Sequence, residues 1–241
     1  MPNVGPVTLD HIRLYLSQHN VTLKDDKTPE FWRKNAGRVK ITQQIADTDE
    51  PVVTPFVVLI DSAEQNPFEF KNLRCGIQGK DNHKPLVVRT KWQSLGRHPN
   101  QLGDYSIEGY VGRVHVERKS VDDCQQTILG FNGSRDRFKK ELENLARIEA
   151  PLVVVEGTLT EVITETNGRR KTKPSVQSRT LLRSIIAFQQ DYAVPWLFCD
   201  SRRMAEIVTF RHLERYWRKK QEEAKQRAKI EKEQASEMLP F

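Results

Sequence analysis

The chain has 241 residues and a formal net charge of +7, with 39 lysines and arginines against 32 aspartates and glutamates. Its three cysteines are far apart and form no C-x-x-C pair, which argues against a disulfide framework, so we expect reduced thiols in an intracellular protein. We expect neither a signal peptide nor a membrane-spanning segment, since the sequence contains no apolar run of that length, and its basic charge suits a polyanionic partner.

Residues 1–50 are predicted to form a helical accessory segment. Apolar spacing predicts one helix over residues 7–19 and a second over residues 29–39. Trp32 lies among basic residues, where it could stack a nucleic-acid base, but an anchor into the neighbouring core is the favoured interpretation. Residues 47–51 have the composition of a linker.

The first buried strand is predicted over residues 56–60, an uninterrupted apolar run typical of the middle of an α/β sheet. Asp61 ends this strand, and Glu64 follows three residues later. Acids at the carboxyl end of a central strand lie at the rim of the sheet, where α/β enzymes place their sites. The alternative is that both acids only cap the turn. A further strand is predicted over residues 84–92.

A β-hairpin with a glycine-containing turn is predicted over residues 104–119. Side chains alternate along a strand, so Glu117 and Lys119 share one face, while Arg118 points to the other and is assigned a structural role. Asp104, on the partner strand, is predicted to converge on the Glu117 face. Two carboxylates can hold a divalent cation beside a lysine that contacts the scissile phosphate, which is the chemistry of metal-assisted phosphodiester hydrolysis. The alternative is a solvated ion pair.

Two helices are predicted after the hairpin. Ser120 is a natural N-cap and places Asp123 in the first turn, where acids are favoured for electrostatic reasons alone. Ser134 begins an amphipathic helix whose basic end carries Arg135 and Arg137. These arginines either contact phosphates or belong to a solvated helix face.

The remaining chain continues the α/β pattern. A buried strand over residues 151–157 precedes a polar segment whose basic run, Arg169, Arg170 and Lys171, either touches a DNA backbone or forms a surface loop. A helix, a buried strand and a closing helix are then predicted over residues 181–192, 194–199 and 201–218. The order of strand, hairpin, helix, helix, strand, helix, strand and helix predicts a three-layer α/β domain with a mixed central sheet.

One string resembles the nuclease domain of the XPF family of structure-specific endonucleases, whose signature is G-D followed by E-R-K-x-x-x-D. Here it reads Gly103-Asp104, then Glu117-Arg118-Lys119-Ser120-Val121-Asp122-Asp123. The family's D-x-R-E string is matched by Asp61 and Glu64, but Ala63 replaces the arginine, and residues 137–142 fit the family's R-F-x-x-E-L pattern. The resemblance covers about residues 55–210 and implies a restriction-endonuclease-like fold, without the tandem helix-hairpin-helix module that often follows it.

The resemblance also implies the roles of individual residues. Asp61, Asp104 and Glu117 would hold Mg²⁺ or Mn²⁺, and Lys119 would act with Asp104 and Glu117 in catalysis. Glu64 and Asp123 would be supporting acids. The candidate DNA-binding residues are Arg135, Arg137, Arg169, Arg170 and Lys171.

The expected function is a metal-dependent DNA endonuclease acting on branched or otherwise structured DNA in repair, recombination or replication. Its partner is DNA, with a homodimer or a nuclease-complex partner left open, and its expected location is a bacterial or phage-infected cell, or the nucleus in a eukaryote. The chain is divided into the accessory segment 1–50, the nuclease domain 51–210 and a charged, net basic helical tail 211–241. The alternative function is a catalytically silent DNA-binding or scaffold subunit, which Ala63 favours.

Overall fold

A computed structural model describes residues 50–76, 81, 83–97, 100–166, 169–170 and 176–237, which all belong to one compact unit, Asp49–Phe241. The helices predicted over residues 7–19 and 29–39, with Trp32, lie outside the described residues, as does Lys171. No described helix is both long and apolar enough to cross a bilayer.

Within the described residues, a central sheet of seven strands organises the domain. Its strands are β1 (Val52–Asp61), β2 (Leu73–Arg74), β3 (Pro85–Gln93), β4 (Tyr105–Ile107), β5 (Val114–Lys119), β6 (Ala150–Val155) and β9 (Trp196–Phe198). The strands β7 (Glu165–Thr166) and β8 (Arg169–Arg170) lie between β6 and β9 in the chain and form a separate short hairpin. The spatial order is β2-β3-β1-β4-β5-β6-β9.

The sheet is mixed. β1 is parallel to β3, and β5, β6 and β9 are parallel to one another, whereas β2 and β4 run antiparallel to their neighbours. Because β4 lies between β1 and β5 and reverses direction, β1 and β5 run the same way. The carboxyl ends of β1, β3, β5, β6 and β9 therefore meet the amino end of β4 at one side of the sheet, here called the carboxyl edge.

Helices cover both faces of this sheet. They are α1 (Val121–Leu129), α2 (Ser134–Leu145), α3 (Leu159–Thr164), α4 (Val176–Tyr192) and α5 (Arg202–Glu237). Phe210 and Leu213 of α5 pack with Val58 and Ile60 of β1 on one face, while α1 to α4 pack on the other face against β6. Each such fully buried side chain contributes roughly 1.5–3 kcal/mol. The predicted three-layer α/β domain with a mixed, restriction-endonuclease-like central sheet is confirmed.

One helix is longer than predicted, and two predicted helices are joined into one. α4 begins at Val176, before the expected start at residue 181, and its added residues are mostly exposed. α5 runs without a break from Arg202 to Glu237, so the predicted closing helix and the predicted helical tail are continuous. The exposed part of α5 carries many glutamates, lysines, arginines and alanines, whose helix propensity is high.

Candidate active site

The predicted acidic residues collect at the carboxyl edge of the sheet. Asp61 is the last residue of β1, Glu117 and Lys119 lie at the end of β5, and Asp104 immediately precedes β4. The amide of Asp61 donates to the carbonyl oxygen of Asp104 at 2.8 Å, and the amide of Asp104 donates to that of Val116 at 2.9 Å. Main-chain pairing therefore positions these residues side by side.

Gly103 allows this close approach. Its φ of +100° lies in a region that favours glycine, and a Cβ there would lie 3.0 Å from the carbonyl oxygen of Val116. Any larger residue would push the chain away from β5. The glycine of the G-D pair thus places the Asp104 main chain against the strand that carries Glu117.

Lys119 is the centre of a buried ionic cluster on one face of β5, here called the Lys119 cluster. Its Nζ lies 2.6 Å from Oε1 of Glu117, 3.4 Å from Oδ2 of Asp123 and 4.6 Å from the ring centroid of Phe138. Burial disfavours the charge of Lys119, but the carboxylates of Glu117, Glu141 and Asp123 outweigh it and raise the Lys119 pKa well above its usual value. Lys119 is therefore held as a cation.

The Lys119 cluster opens onto a cleft of about 280 Å³ between β5, α1 and α2. Glu117, Lys119 and Asp123 line the cleft together with Phe138 and Glu141 of α2. The cleft is mainly polar and reaches solvent. The three motif residues thus share one accessible space.

Glu141 is a member of the Lys119 cluster that sequence reasoning missed, since it was noted only as part of a pattern. It is buried, and burial, followed by the negative charge of Glu117, raises its pKa well above the usual value. A signal was available. Glu141 lies in the apolar stripe of α2, three residues after Phe138 and four before Leu145, where an unpaired acid is unusual.

Asp61 and Asp104 do not line the cleft; main-chain donors hold both carboxylates at the carboxyl edge of the sheet. Oδ1 of Asp61 accepts from the amide of Leu95 at 3.1 Å, and Oδ2 of Asp104 accepts from the amide of Arg118 at 2.8 Å. Burial and the charges of Glu117 and Glu64 raise the pKa of Asp104 well above its usual value. Asp104 therefore sits in a strongly negative environment.

The donor set suits a hard divalent cation. Asp61, Asp104 and Glu117 supply carboxylate oxygens, the ligands that Mg²⁺ and Mn²⁺ prefer, and Oε2 of Glu117 is buried without a hydrogen-bond partner among the described residues. No group of three or more His, Cys, Asp or Glu in the described part of the chain is already arranged to hold a metal ion. The assignment of these three residues as ligands stays a prediction.

Arg118 belongs to a second cluster on the opposite face of β5, as strand alternation predicts. Its guanidinium donates to both oxygens of Glu64, at 3.0 and 3.2 Å, and to Oε1 of Glu156 at 3.1 Å. Arg202 of α5 donates to the same Glu156 oxygen at 2.6 Å and to the carbonyl oxygens of Asn66 and Pro67. We call this the Arg118 cluster.

The Arg118 cluster explains the surroundings of Glu64 and Ala63. Glu64 faces Arg118 and does not line the cleft of the Lys119 cluster. Ala63 is exposed, and Arg118 and Arg202 supply cations around the loop in which the resembled family carries an arginine. Sequence reasoning missed Glu156 and Arg202, because both lie far from the motif along the chain.

The predicted DNA-binding residues differ in their environments. Arg135 donates to the carbonyl oxygen of Ile128 and to Ser184, and stacks over Phe188 with 4.9 Å between its Cζ and the ring centroid. Its guanidinium is thus engaged within the fold. Arg137 is exposed at the mouth of the cleft and forms no hydrogen bond or ion pair with another described residue. Arg169 and Arg170 form β8, but their side chains are not described.

Comparisons with known proteins agree with the motif. The sequence model of the ERCC4 domain matches residues 60–210. The solved structure of XPF from Aeropyrum pernix is similar at 18% identity and a TM-score of 0.44, over 72% of this chain and 71% of that chain. The same protein in complex with DNA is similar at 17% identity and a TM-score of 0.44, over 68% and 66%. No curated protein sequence matches.

Proposed function

Because the chain belongs to the ERCC4 domain family, we propose that it is a metal-dependent DNA endonuclease that hydrolyses phosphodiester bonds. The observation that best supports this proposal is the cleft lined by Glu117, Lys119 and Asp123 of the E-R-K-x-x-x-D string. Phosphodiester hydrolysis needs acids that hold a metal ion and a cation that stabilises negative charge in the transition state. The Lys119 cluster supplies both kinds of group beside open space.

We assign Asp61, Asp104 and Glu117 as the residues that would hold Mg²⁺ or Mn²⁺. When bound, such an ion supplies Lewis acidity toward the phosphate and makes water a better nucleophile. The chain itself keeps the carboxylates in place. The amide of Leu95 orients Asp61, and the amide of Arg118 orients Asp104.

Lys119 would stabilise the negative charge that develops on the phosphate oxygens. Its contacts with Glu117 and Asp123 restrict Nζ to the wall of the cleft, so little reorganisation is needed when the phosphate arrives. Asp123 is thereby a supporting acid that positions Lys119. Glu64 supports the site from the other face, since it binds the side chain of Arg118, whose amide holds Asp104.

Arg137 is our strongest candidate for a DNA phosphate contact. It is exposed at the cleft and has no partner among the described residues, whereas Lys139 and Lys140 of the same helix pair with Asp136 and Glu143. An arginine free to form a bidentate contact suits a phosphate. Further backbone contacts are assigned to Arg169, Arg170 and Lys171.

The family resemblance is the support for the substrate class and pathway that we propose. We propose branched or otherwise structured DNA, met during repair, recombination or replication, as the substrate. A homodimer or a nuclease-complex partner is compatible with this role.

Cleavage of labelled single-stranded, duplex, flap, fork and four-way-junction DNA, with Mg²⁺, Mn²⁺ or chelator, tests the proposal. The wild-type protein should cut at least one of these DNAs only when metal is present, and Asp104→Asn should not. Asp122→Asn is the matched control, because Asp122 is an exposed acid at a variable position of the motif and forms no hydrogen bond or ion pair with another described residue, and it should cut at the wild-type rate. Tight binding without cutting under any metal would contradict the nuclease and favour the scaffold subunit.

A further inference from the structure

Two residues that line the cleft each have a buried carboxylate oxygen without a hydrogen-bond partner in the described part of the chain. Glu117 is 3% exposed and Glu141 is 8% exposed, and both line the cleft. Oε2 of Glu117 and Oε1 of Glu141 accept no hydrogen bond from any described residue. Buried carboxylate oxygens without donors or counter-charges are costly, because they have lost the water that solvated them. Each of these oxygens therefore lacks a ligand that the cleft has room to admit.

The charges that line the cleft are also unbalanced. Three acids, Glu117, Asp123 and Glu141, face two described basic residues, Lys119 and Arg137. Lys119 is already engaged with Oε1 of Glu117 and with Asp123, and Arg137 is exposed at the mouth. Lys119 binds Oε1 of Glu117 and leaves Oε2 of Glu117 and Oε1 of Glu141 without a hydrogen bond from a described residue, and a small cation would balance the excess negative charge.

We propose that Glu141, through Oε1, joins Glu117, through Oε2, as a ligand of the divalent cation, an inference that rests on the proposed metal-dependent nuclease. Mg²⁺ and Mn²⁺ take hard oxygen ligands, and one or two protein carboxylates with water or phosphate complete such a site. Glu141 lies on α2, outside the G-D and E-R-K-x-x-x-D strings. The metal site then spans from the carboxyl edge of the sheet to α2, which also carries Arg137, so the helix that contacts DNA shares a ligand with the metal.

Mn²⁺ binding in the absence of DNA tests this inference without relying on activity. Free Mn²⁺ is measured by electron paramagnetic resonance in titrations of the wild-type protein, of Glu141→Gln and of Glu143→Gln. Glutamine keeps the shape of Glu141 and removes only its charge. Glu143, on the same helix but exposed and paired with Lys140, is the matched control. We expect Glu141→Gln to weaken the Kd for Mn²⁺ at least about tenfold and Glu143→Gln to leave it unchanged.

The outcomes separate this inference from the nuclease proposal. Wild-type affinity for Mn²⁺ in Glu141→Gln would overturn the role of Glu141, even if the wild-type protein cuts DNA with metal. A wild-type protein that neither binds Mn²⁺ nor cuts any DNA would overturn the nuclease itself, and the role of Glu141 with it. If Glu141→Gln does not fold, Glu141→Asp carries the same test: retraction of the carboxylate should weaken Mn²⁺ binding, and unchanged binding would overturn the inference.

Discussion

Arg118 and Lys119 are adjacent in β5, yet the two ionic clusters that they form are built in opposite ways. In the Arg118 cluster, the guanidinium donates to Glu64 and Glu156, and Arg202 closes the network onto main-chain carbonyl groups. In the Lys119 cluster, one lysine serves several acids, and one oxygen each of Glu117 and Glu141 has no hydrogen-bond partner among the residues that the structure describes.

The difference separates a cluster that stabilises the fold from one that is prepared for a ligand. A planar guanidinium has five N–H donors and can satisfy two carboxylates at once, which fixes the loop after β1 to β5, β6 and α5. A lysine beside several carboxylates leaves negative charge unmatched, and binding of a cation or of a proton compensates that charge. Both clusters depend on the same strand, because alternate residues point to opposite faces.

The largest effect on stability should come from breaking the Arg118 cluster. Arg118→Met leaves Glu64 buried without its counter-charge, whereas Glu156 keeps Arg202, so we expect a loss of about 3 kcal/mol in the free energy of unfolding. Urea denaturation measures this. Arg202→Met is the control within the same cluster: its side chain is 39% exposed and Glu156 keeps Arg118, so the loss should be about 1 kcal/mol. If both variants lose the same free energy of unfolding, Arg118 does not contribute more to stability than Arg202.

Lys119→Met should act on cleavage instead. Loss of the cation that faces the cleft should lower the rate of DNA cleavage by about 10²–10³-fold per folded molecule, since one preorganised stabilising group has been removed. Single-turnover cleavage, normalised to the folded fraction from circular dichroism, measures the effect. Lys140→Met, at a lysine that pairs with Glu143 on the exposed side of α2, is the matched control and should cut normally. A Lys119→Met protein that cuts at the wild-type rate would contradict the role of the Lys119 cluster in cleavage.

His212 of α5 shows a third way to bury an ionisable group, and its effect should be the smallest. Burial lowers the pKa of His212 below its usual 6.5, although the carbonyl oxygen of Ala150, 3.2 Å from Nε2, opposes the shift. The folded state thus prefers the neutral ring, and the unfolded state binds more protons below about pH 6.5. Stability should therefore fall as the pH decreases from about 6.5 toward the folded pKa.

His212→Gln provides the comparison for this pH dependence. Glutamine can still donate to Ala150 but does not titrate, so the variant should lose less stability than the wild-type protein between pH 7.5 and 5.5. Urea midpoints across this range measure the difference. Parallel curves for the two proteins would show that His212 has the same pKa in the folded and unfolded states, which would contradict the lowered pKa.

Local sequence patterns were sufficient for the fold class and for the opposite orientations of Arg118 and Lys119. The apolar runs predicted the central strands, and the period of two along β5 predicted which motif residues share a face. The G-D and E-R-K-x-x-x-D strings located the Lys119 cluster, because residues close in sequence on a hairpin must be close in space.

The limits of prediction follow from distance along the chain. The interactions of Arg118 with Glu64, 54 residues away, and of Arg202 with Asn66, 136 residues away, depend on how β1, β5 and α5 meet at the carboxyl edge. The periodicity of side chains within one strand or helix carries no information about contacts between elements that are far apart in the sequence. The sequence alone therefore determined the fold class and the strand face of each motif residue, and it predicted the chemistry of the motif. Only the tertiary structure decided that Glu141 of α2 lines the cleft and that Arg118 and Arg202 bind the loop that contains Ala63. The reason is that side chains from separate elements come into contact only after the sheet and its helices have packed.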